Sequence, residues 1–203
     1  MLFRSHQRVR PVAPLAVVRA DACLGGARKS DPMTRAARTV PSPVGPLLLE
    51  TDGTSLTRPA FIDRADADGA VESRTGVGQP DHPVLLRVKE QLDGYFLGTL
   101  RAFDLPLAPE GSDFQRQVWE ELCRIPFGAT ASYGDIAVRL GLPVSASRAV
   151  GLANGANPIA IVIPCHRVIG ADGTLVGYGG GLRRKRFLLD LESPTVQDAL
   201  FPE

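Results

Sequence analysis

Pro158-Ile159-Ala160-Ile161-Val162-Ile163-Pro164-Cys165-His166-Arg167-Val168-Ile169-Gly170 is the stretch on which the reading of this chain turns. Residues of strand character, Ile159 to Ile163, run into a proline and then into a cysteine, a histidine and an arginine in a row. Pro164 fixes its own φ and pushes Ile163 into an extended conformation, which predicts Cys165 at the tip of a stiff, buried strand. A thiol and an imidazole delivered together are the parts of a nucleophile and its base. Taken alone, the pair equally describes a core cysteine beside a surface histidine, because unpaired cysteine is among the most buried residue types. The surrounding sequence decides between the two.

The 203 residues, 44% apolar and 22% charged, describe an ordinary globular protein with material for one sizeable domain or two small ones. Cys23, Cys123 and Cys165 lie too far apart for a zinc spacing or a disulfide framework. Such usage fits a reducing compartment, and the cytoplasm is expected. No stretch approaches the length of a membrane span. Net charge is +1, and residues 112–192 carry nine basic against seven acidic side chains. That is enough for a few phosphate contacts and too little for an unspecific polyanion binder.

Residues 1–32 are rich in Arg, Pro, Ala and Gly without a period. They read as a disordered leader, or as sequence upstream of a true start at Met33. His6 and Cys23 within them are too isolated to argue for a metal. Leu47 to Leu49, the turn signal Asp52-Gly53, and Leu56 to Ile62 predict a hairpin, followed by a polar loop over 63–80. Asp81 is predicted to cap a helix with Pro83 in its first turn and Val84, Val88 and Leu92 on one face. Residues 33–107 thus form a small α/β domain with no catalytic constellation, and 106–111 a linker.

Ser112 to Gln115 has capping-box spacing ahead of an apolar stripe of Phe114, Val118, Leu122 and Ile125, with Trp119 and Cys123 as packing residues. A second box, Ser132 to Asp135, opens a helix that stops at Gly141. A turn through Pro143 leads to Ser145, predicted to cap a helix carrying Arg148, Val150 and Ala153. Two short helices with a tight turn make a helix-turn-helix, which places one helix in a DNA groove or merely packs. The second helix is built from small residues, Ala149, Gly151, Ala153, Gly155 and Ala156. Each interior glycine costs about 1 kcal/mol against alanine, so the backbone must approach something closely. Beyond the cysteine, Leu175 to Tyr178 reads as a strand. Gly179-Gly180-Gly181 opens a last helix whose start, Arg183-Arg184-Lys185-Arg186, opposes the helix dipole and invites an anionic partner. Glu192 closes that helix, and 193–203 form a tail.

Six blocks in order now carry a resemblance: Ser132-Tyr133-Gly134, Ser147 to Gly151, Ala153 to Pro158, Pro164 to Val168, Tyr178 to Leu182, and Leu188 to Glu192. Together they resemble the methylated-DNA–protein-cysteine methyltransferases, the O6-alkylguanine-DNA alkyltransferases, continuously from about Phe114 to Glu192 and more weakly from about Thr39 to Leu107. The resemblance implies an α+β fold. An N-terminal domain with an antiparallel sheet of ribonuclease-H-like character precedes a mostly helical C-terminal domain, 112–192, with the helix-turn-helix. It implies one irreversible transfer of an alkyl group from O6 of guanine to Cys165 and consumption of the protein; whether O4-alkylthymine is also accepted is not implied by the sequence. No cofactor or metal is implied. Double-stranded DNA bound through its minor groove is the implied partner, and the protein is expected to be a monomer.

The same resemblance distributes roles. His166 takes the thiol proton through a bridging water, since neighbours in an extended segment point apart, and Glu192 orients the imidazole. Asn157 is the hinge asparagine tying the recognition helix to the cysteine segment. Tyr133 donates toward the guanine, Gly179 offers its N–H to O6, and the carbonyls of Cys165 and Val168 accept from the exocyclic amine. Tyr178 and Gly180 complete the base pocket. Arg148 is the finger that fills the gap left by a flipped base, with Ala149, Gly151, Asn154, Tyr133 and Arg167 as further DNA contacts. Glycine at 179, where the family has serine or glycine, implies a roomier pocket. A cysteine hydrolase would need an oxyanion hole and would turn over, and a DNA-binding regulator leaves the Cys-His-Glu set without a purpose.

Overall fold

The computed structural model describes residues 35–62 and 81–193. The expectations for the leader with His6 and Cys23, the 63–80 loop and the tail beyond 193 lie outside the described residues. The chain opens with an antiparallel sheet in the order β1 (Ala36–Val40), β2 (Leu47–Thr51), β3 (Leu56–Phe61). The hairpin signal turns β2 into β3, with Asp52 Oδ1 accepting from the backbone N–H of Thr54 and Ser55. Pro59, which has no N–H to give, sits in β3 at the sheet edge, where a missing donor is tolerated. Helix α1 (Pro83–Phe96) packs across the sheet through Leu85, Val88, Leu92 and Tyr95. Its cap is His82, whose ring accepts from Val84 N–H at 3.3 Å. Asp81, the expected cap, instead pairs with Arg38 of β1.

Helix α2 (Asp113–Cys123) carries the full capping box of Ser112 and Gln115. Its apolar face supplies Val118, Trp119, Leu122 and Cys123 to the core. The Trp119 indole N–H donates to the carbonyl of Ala153 at 2.8 Å, so the packing role read for this residue includes a tether across the domain. A short strand β4 (Ala131–Ser132) leads into α3 (Tyr133–Arg139), capped by the reciprocal Ser132–Asp135 box. After a single 3₁₀ turn, Val144–Ala146, comes α4 (Ser147–Gly155). The chain direction changes by 119° between α3 and the Val144–Gly155 stretch, a helix-turn-helix angle. Ser145 does not cap α4; Ala146 occupies that position without a side-chain bond, because the 3₁₀ turn feeds straight into the helix.

The decisive stretch departs most from its sequence reading. Ile159 to Ile163 is not a strand. Ile161 adopts φ +72, and Val162 N–H and Ile163 N–H return to the carbonyls of Ala160 and Ile159, folding the run into a buried turn. A β-branched residue in the left-handed region is strained, and such strain collects beside functional sites. Burial is the reason the strand reading fails: all of Ile159, Ile161, Val162 and Ile163 are inside, so hydrophobicity is satisfied without extension. Cys165–Arg167 is then one 3₁₀ turn, and β5 (Val168–Ile169) pairs in parallel with β4. Leu175 to Tyr178 is irregular as well. Helix α5 (Leu182–Glu192) follows, entered through Gly181 at φ +84, which glycine alone adopts without strain.

Candidate active site and nucleic-acid interface

The 3₁₀ turn at Cys165 presents its side chains to two different places. Cys165, 5% exposed, lines a cavity of about 290 Å³. That lies at the low end of the about 300–1,000 Å³ of ligand pockets. The cavity is walled by the C-terminal end of α4 and the residues after it (Asn154, Gly155, Ala156, Asn157, Pro158), by Tyr178, Gly179 and Gly180, and by Arg58 to Phe61 of β3. His166 and Arg167 turn the other way, into the core.

Behind the cavity Glu192 collects five hydrogen bonds. His166 Nε2 lies 2.8 Å from Oε1, Arg167 reaches both oxygens at 2.8 and 3.0 Å, the Tyr95 hydroxyl donates to Oε1 at 2.8 Å, and Gly128 N–H to Oε2 at 3.3 Å. Burial pushes the Glu192 carboxyl up, but the hydrogen bonds from His166 and Arg167 and the Arg167 charge outweigh it and bring its pKa down to about 2. A buried carboxylate this fully paired stays ionised. Burial holds the His166 imidazole below its ordinary value, against the opposing pull of Glu192, so the ring is neutral at rest. With Nε2–H given to the carboxylate, Nδ1 keeps its lone pair. That atom is buried and has no hydrogen-bond partner among the described residues.

Burial also raises the Cys165 thiol to about 11, with the Asn157 side chain and the charge of Lys185 pulling it back. At neutral pH the sulfur carries its proton and needs a base to lose it. Asn157 Nδ2 donates to the Ile163 carbonyl and its Oδ1 accepts from Ile159 N–H, both at 2.9 Å. This one side chain pins both ends of the buried turn just after α4.

Several expected contacts fall elsewhere. Arg167 is no DNA contact: it is 4% exposed and its guanidinium is spent on Glu192 and the Ile125 carbonyl. Asn154, 3% exposed, faces the cavity with Nδ2 3.4 Å from the Cys165 carbonyl, so it cannot reach into a groove. Tyr133 is half-buried and its hydroxyl donates to the Val176 carbonyl at 2.9 Å, outside the cavity lining. Val168 is wholly buried, and its carbonyl accepts from Lys185 Nζ at 2.6 Å. The Cys165 carbonyl accepts from Val168 N–H. Both carbonyls assigned to a base amine are therefore already engaged within the protein. Gly179 is exposed at the cavity, and a Cβ there would come no nearer than 4.0 Å to another atom, so its missing side chain leaves real room. Gly180 is different, because a Cβ on it would meet Phe61 at 2.6 Å.

The basic run of α5 is not a solvated patch. Lys185 is fully buried and donates to three carbonyls, those of Val168, Val176 and Gly177. Arg184 leaves the helix to bond Val44 and Gly180 carbonyls. Only Arg183 and Arg186 face outward. On α4, Arg148 and Ala149 are exposed, while Gly151 packs on the Tyr133 ring and Ala153 on Trp119. The small residues of this helix serve its close packing as much as any outer surface.

Sequence reading missed the cavity wall supplied by β3, and on the helices it missed Tyr95 and Lys185. Tyr95 sat unread near the end of an amphipathic helix of the other domain, and Lys185 was hidden among arginines. A polar residue at a core-facing helical position was the available signal in both cases.

Fold and site define a class: a two-domain protein in which a helix-turn-helix borders a cavity that ends on a buried thiol backed by a His-Glu-Arg cluster. Residues 37–109 match the ribonuclease-like domain of 6-O-methylguanine DNA methyltransferase, and 113–194 match its DNA binding domain. A Mycobacterium tuberculosis methylated-DNA–protein-cysteine methyltransferase is 51% identical over 155 residues, 76% of this chain and 90% of the relative. One from Methanosarcina barkeri is 49% identical over 159 residues, covering 78% and 97%. The crystal structure of the M. tuberculosis O6-methylguanine methyltransferase superposes with a TM-score of 0.69 at 49% identity, covering 78% of this chain and 92% of that one. The M. tuberculosis protein in complex with DNA gives 0.69 at 48%, covering 82% and 99%. The chain belongs to the methylated-DNA–protein-cysteine methyltransferase family.

Proposed function

We propose that Cys165 is the acceptor, and that the protein repairs DNA by taking the alkyl group from O6 of a guanine, or O4 of a thymine, once and irreversibly. The Sγ–C bond forms as the C–O bond breaks. The thiol proton passes to His166 Nδ1, which has no hydrogen-bond partner among the described residues, through a bridging water, and ends on the base that leaves. Glu192, held ionised by Arg167 and Tyr95, stabilises the imidazolium formed on the way. S-alkylcysteine is the stable product, so each molecule acts once. The observation that carries this reading is the placement of Cys165 on the cavity with its neighbour's imidazole bonded to a buried carboxylate behind it.

A base stacked in a duplex cannot reach that cavity, so the nucleotide must swing out at a cost of a few kcal/mol. Arg148, exposed on α4 and without an ion-pair partner among the described residues, fills the vacated place, with Ala149 against the minor groove. Tyr133 reaches the base only by leaving the Val176 carbonyl. No single helix among the described residues is long and apolar enough to cross a membrane; we place the protein in the cytoplasm, as a monomer.

Mixing the protein with an oligonucleotide bearing O6-methylguanine tests the reading. One added CH₂ on the peptide containing Cys165, at one per molecule, is expected. Cys165→Ala should show no transfer while still binding the oligonucleotide. Catalytic turnover, or methyl on another residue, rejects the assignment.

A further inference from the structure

The cavity holding Cys165 is not built by one domain. Its outer wall is the end of β3, and the contact across the domain boundary is a stack of specific groups rather than a loose apposition. The Phe61 ring meets Tyr178 edge-on, with centroids 6.0 Å apart. It also lies so close over Gly180 that a Cβ there would overlap its Cε2 at 2.6 Å. Arg184, from the first turn of α5, lays its guanidinium over that ring, 4.8 Å from its centroid. Its Nε donates to the Val44 carbonyl at 2.7 Å and its Nη1 to the Gly180 carbonyl at 3.0 Å. One arginine thus joins the turn before β2, the ring at the end of β3, and the glycine run that borders the cavity.

We infer that Phe61 is a specificity-determining residue for the size of the transferred alkyl group, with Arg184 as the positioning residue that holds it against the glycine run. The inference rests on the acceptor role proposed for Cys165. The base and the alkyl carbon must both enter a space of about 290 Å³. Whatever part of the alkyl group extends beyond the first carbon must then compete with the surrounding walls. The walls from α4 and from the Tyr178–Gly180 run are covalently continuous with the Cys165 domain. The β3 wall depends on the stack, and it is the wall contributed by a large, half-buried apolar ring. Removing a tightly fitted apolar group changes discrimination by about 10–200-fold per methylene-sized misfit.

The test compares transfer rates to Cys165 from O6-methylguanine and O6-benzylguanine, both as free bases, in the full chain and in Phe61→Ala, Phe61→Leu and Arg184→Met. Native circular dichroism and thermal melting identify any variant that fails to fold, and Phe61→Leu retains an apolar filler should the alanine variant unfold. The expected result is a benzyl-to-methyl rate ratio raised on the order of tenfold in Phe61→Ala. Arg184→Met should raise it by less, and Phe61→Leu should lie between wild type and Phe61→Ala. Folded variants with an unchanged ratio, or with equal losses on both substrates, overturn the inference, since equal losses mean that the stack only holds the domains together. If the wild-type protein transfers neither group to Cys165, the acceptor reading itself has failed.

Discussion

Cys165 is held as a thiol by burial, and its reactivity must be drawn out by a neighbour. Its alkylation by iodoacetamide, followed on the peptide that contains it, should therefore keep climbing past about pH 10, where an ordinary cysteine of pKa about 8.5 has levelled off. A plateau at or below pH 8 would show a thiolate already stabilised at rest. Glu192 makes the opposite case. Its pKa falls from the ordinary 4.5 to about 2 in the fold, so its contribution to stability is fully present above about 4.5 and is lost as the pH drops toward 2. Breaking a buried ion pair by removing one partner costs about 3–5 kcal/mol. Glu192→Gln should lose that much by urea denaturation near pH 7, and its gap from wild type should narrow on acidification below pH 4.5. A gap independent of pH would place the role of Glu192 in packing alone.

Among the elements, α4 carries most of the interpretive weight. Its inward face is committed to Trp119 and the cavity wall, which leaves the Arg148–Ala149 corner for an outside partner. If Arg148 acts by filling the stack, Arg148→Ala should slow methyl transfer from duplex DNA by tenfold or more, on the order of the 1–3 kcal/mol of one lost specific contact. Transfer from the free base should change little. Equal losses on both substrates would assign Arg148 to the fold of the helix pair. Helix α5 shows how a run of like charges misleads. Arg183 and Arg186 obey the solvated-face reading, whereas Lys185 and Arg184 are drawn inward because carbonyls of the loop before the helix need donors.

At the scale of the whole molecule the two domains share one buried polar centre. Tyr95 of α1 donates to Glu192 of α5 across 97 positions of sequence. Hydrogen bonds to charged groups contribute about 1.5–3 kcal/mol. Tyr95→Phe should lower stability by that amount in urea, with a single transition for both domains when followed by Trp119 fluorescence and by circular dichroism. Two separated transitions in the wild-type protein would mean that the shared centre does not couple the domains.

The local grammar of the chain was readable without coordinates: both capping boxes, the Asp52-Gly53 hairpin and the helix-turn-helix are dictated by residues a few positions apart. So was the pairing of His166 with Glu192, expected from motif order and found at 2.8 Å. The turn at Ile159–Ile163, the inward direction of Arg167 and Lys185, and the arrival of Tyr95 and Phe61 at the site were decided only by tertiary structure. An apolar run states that it will be buried but not in what conformation, and a charged side chain states nothing of its partner when that partner is a carbonyl or a carboxylate far away in sequence. Burial and long-range hydrogen bonding are properties of the packed molecule, and they fixed what local sequence left free.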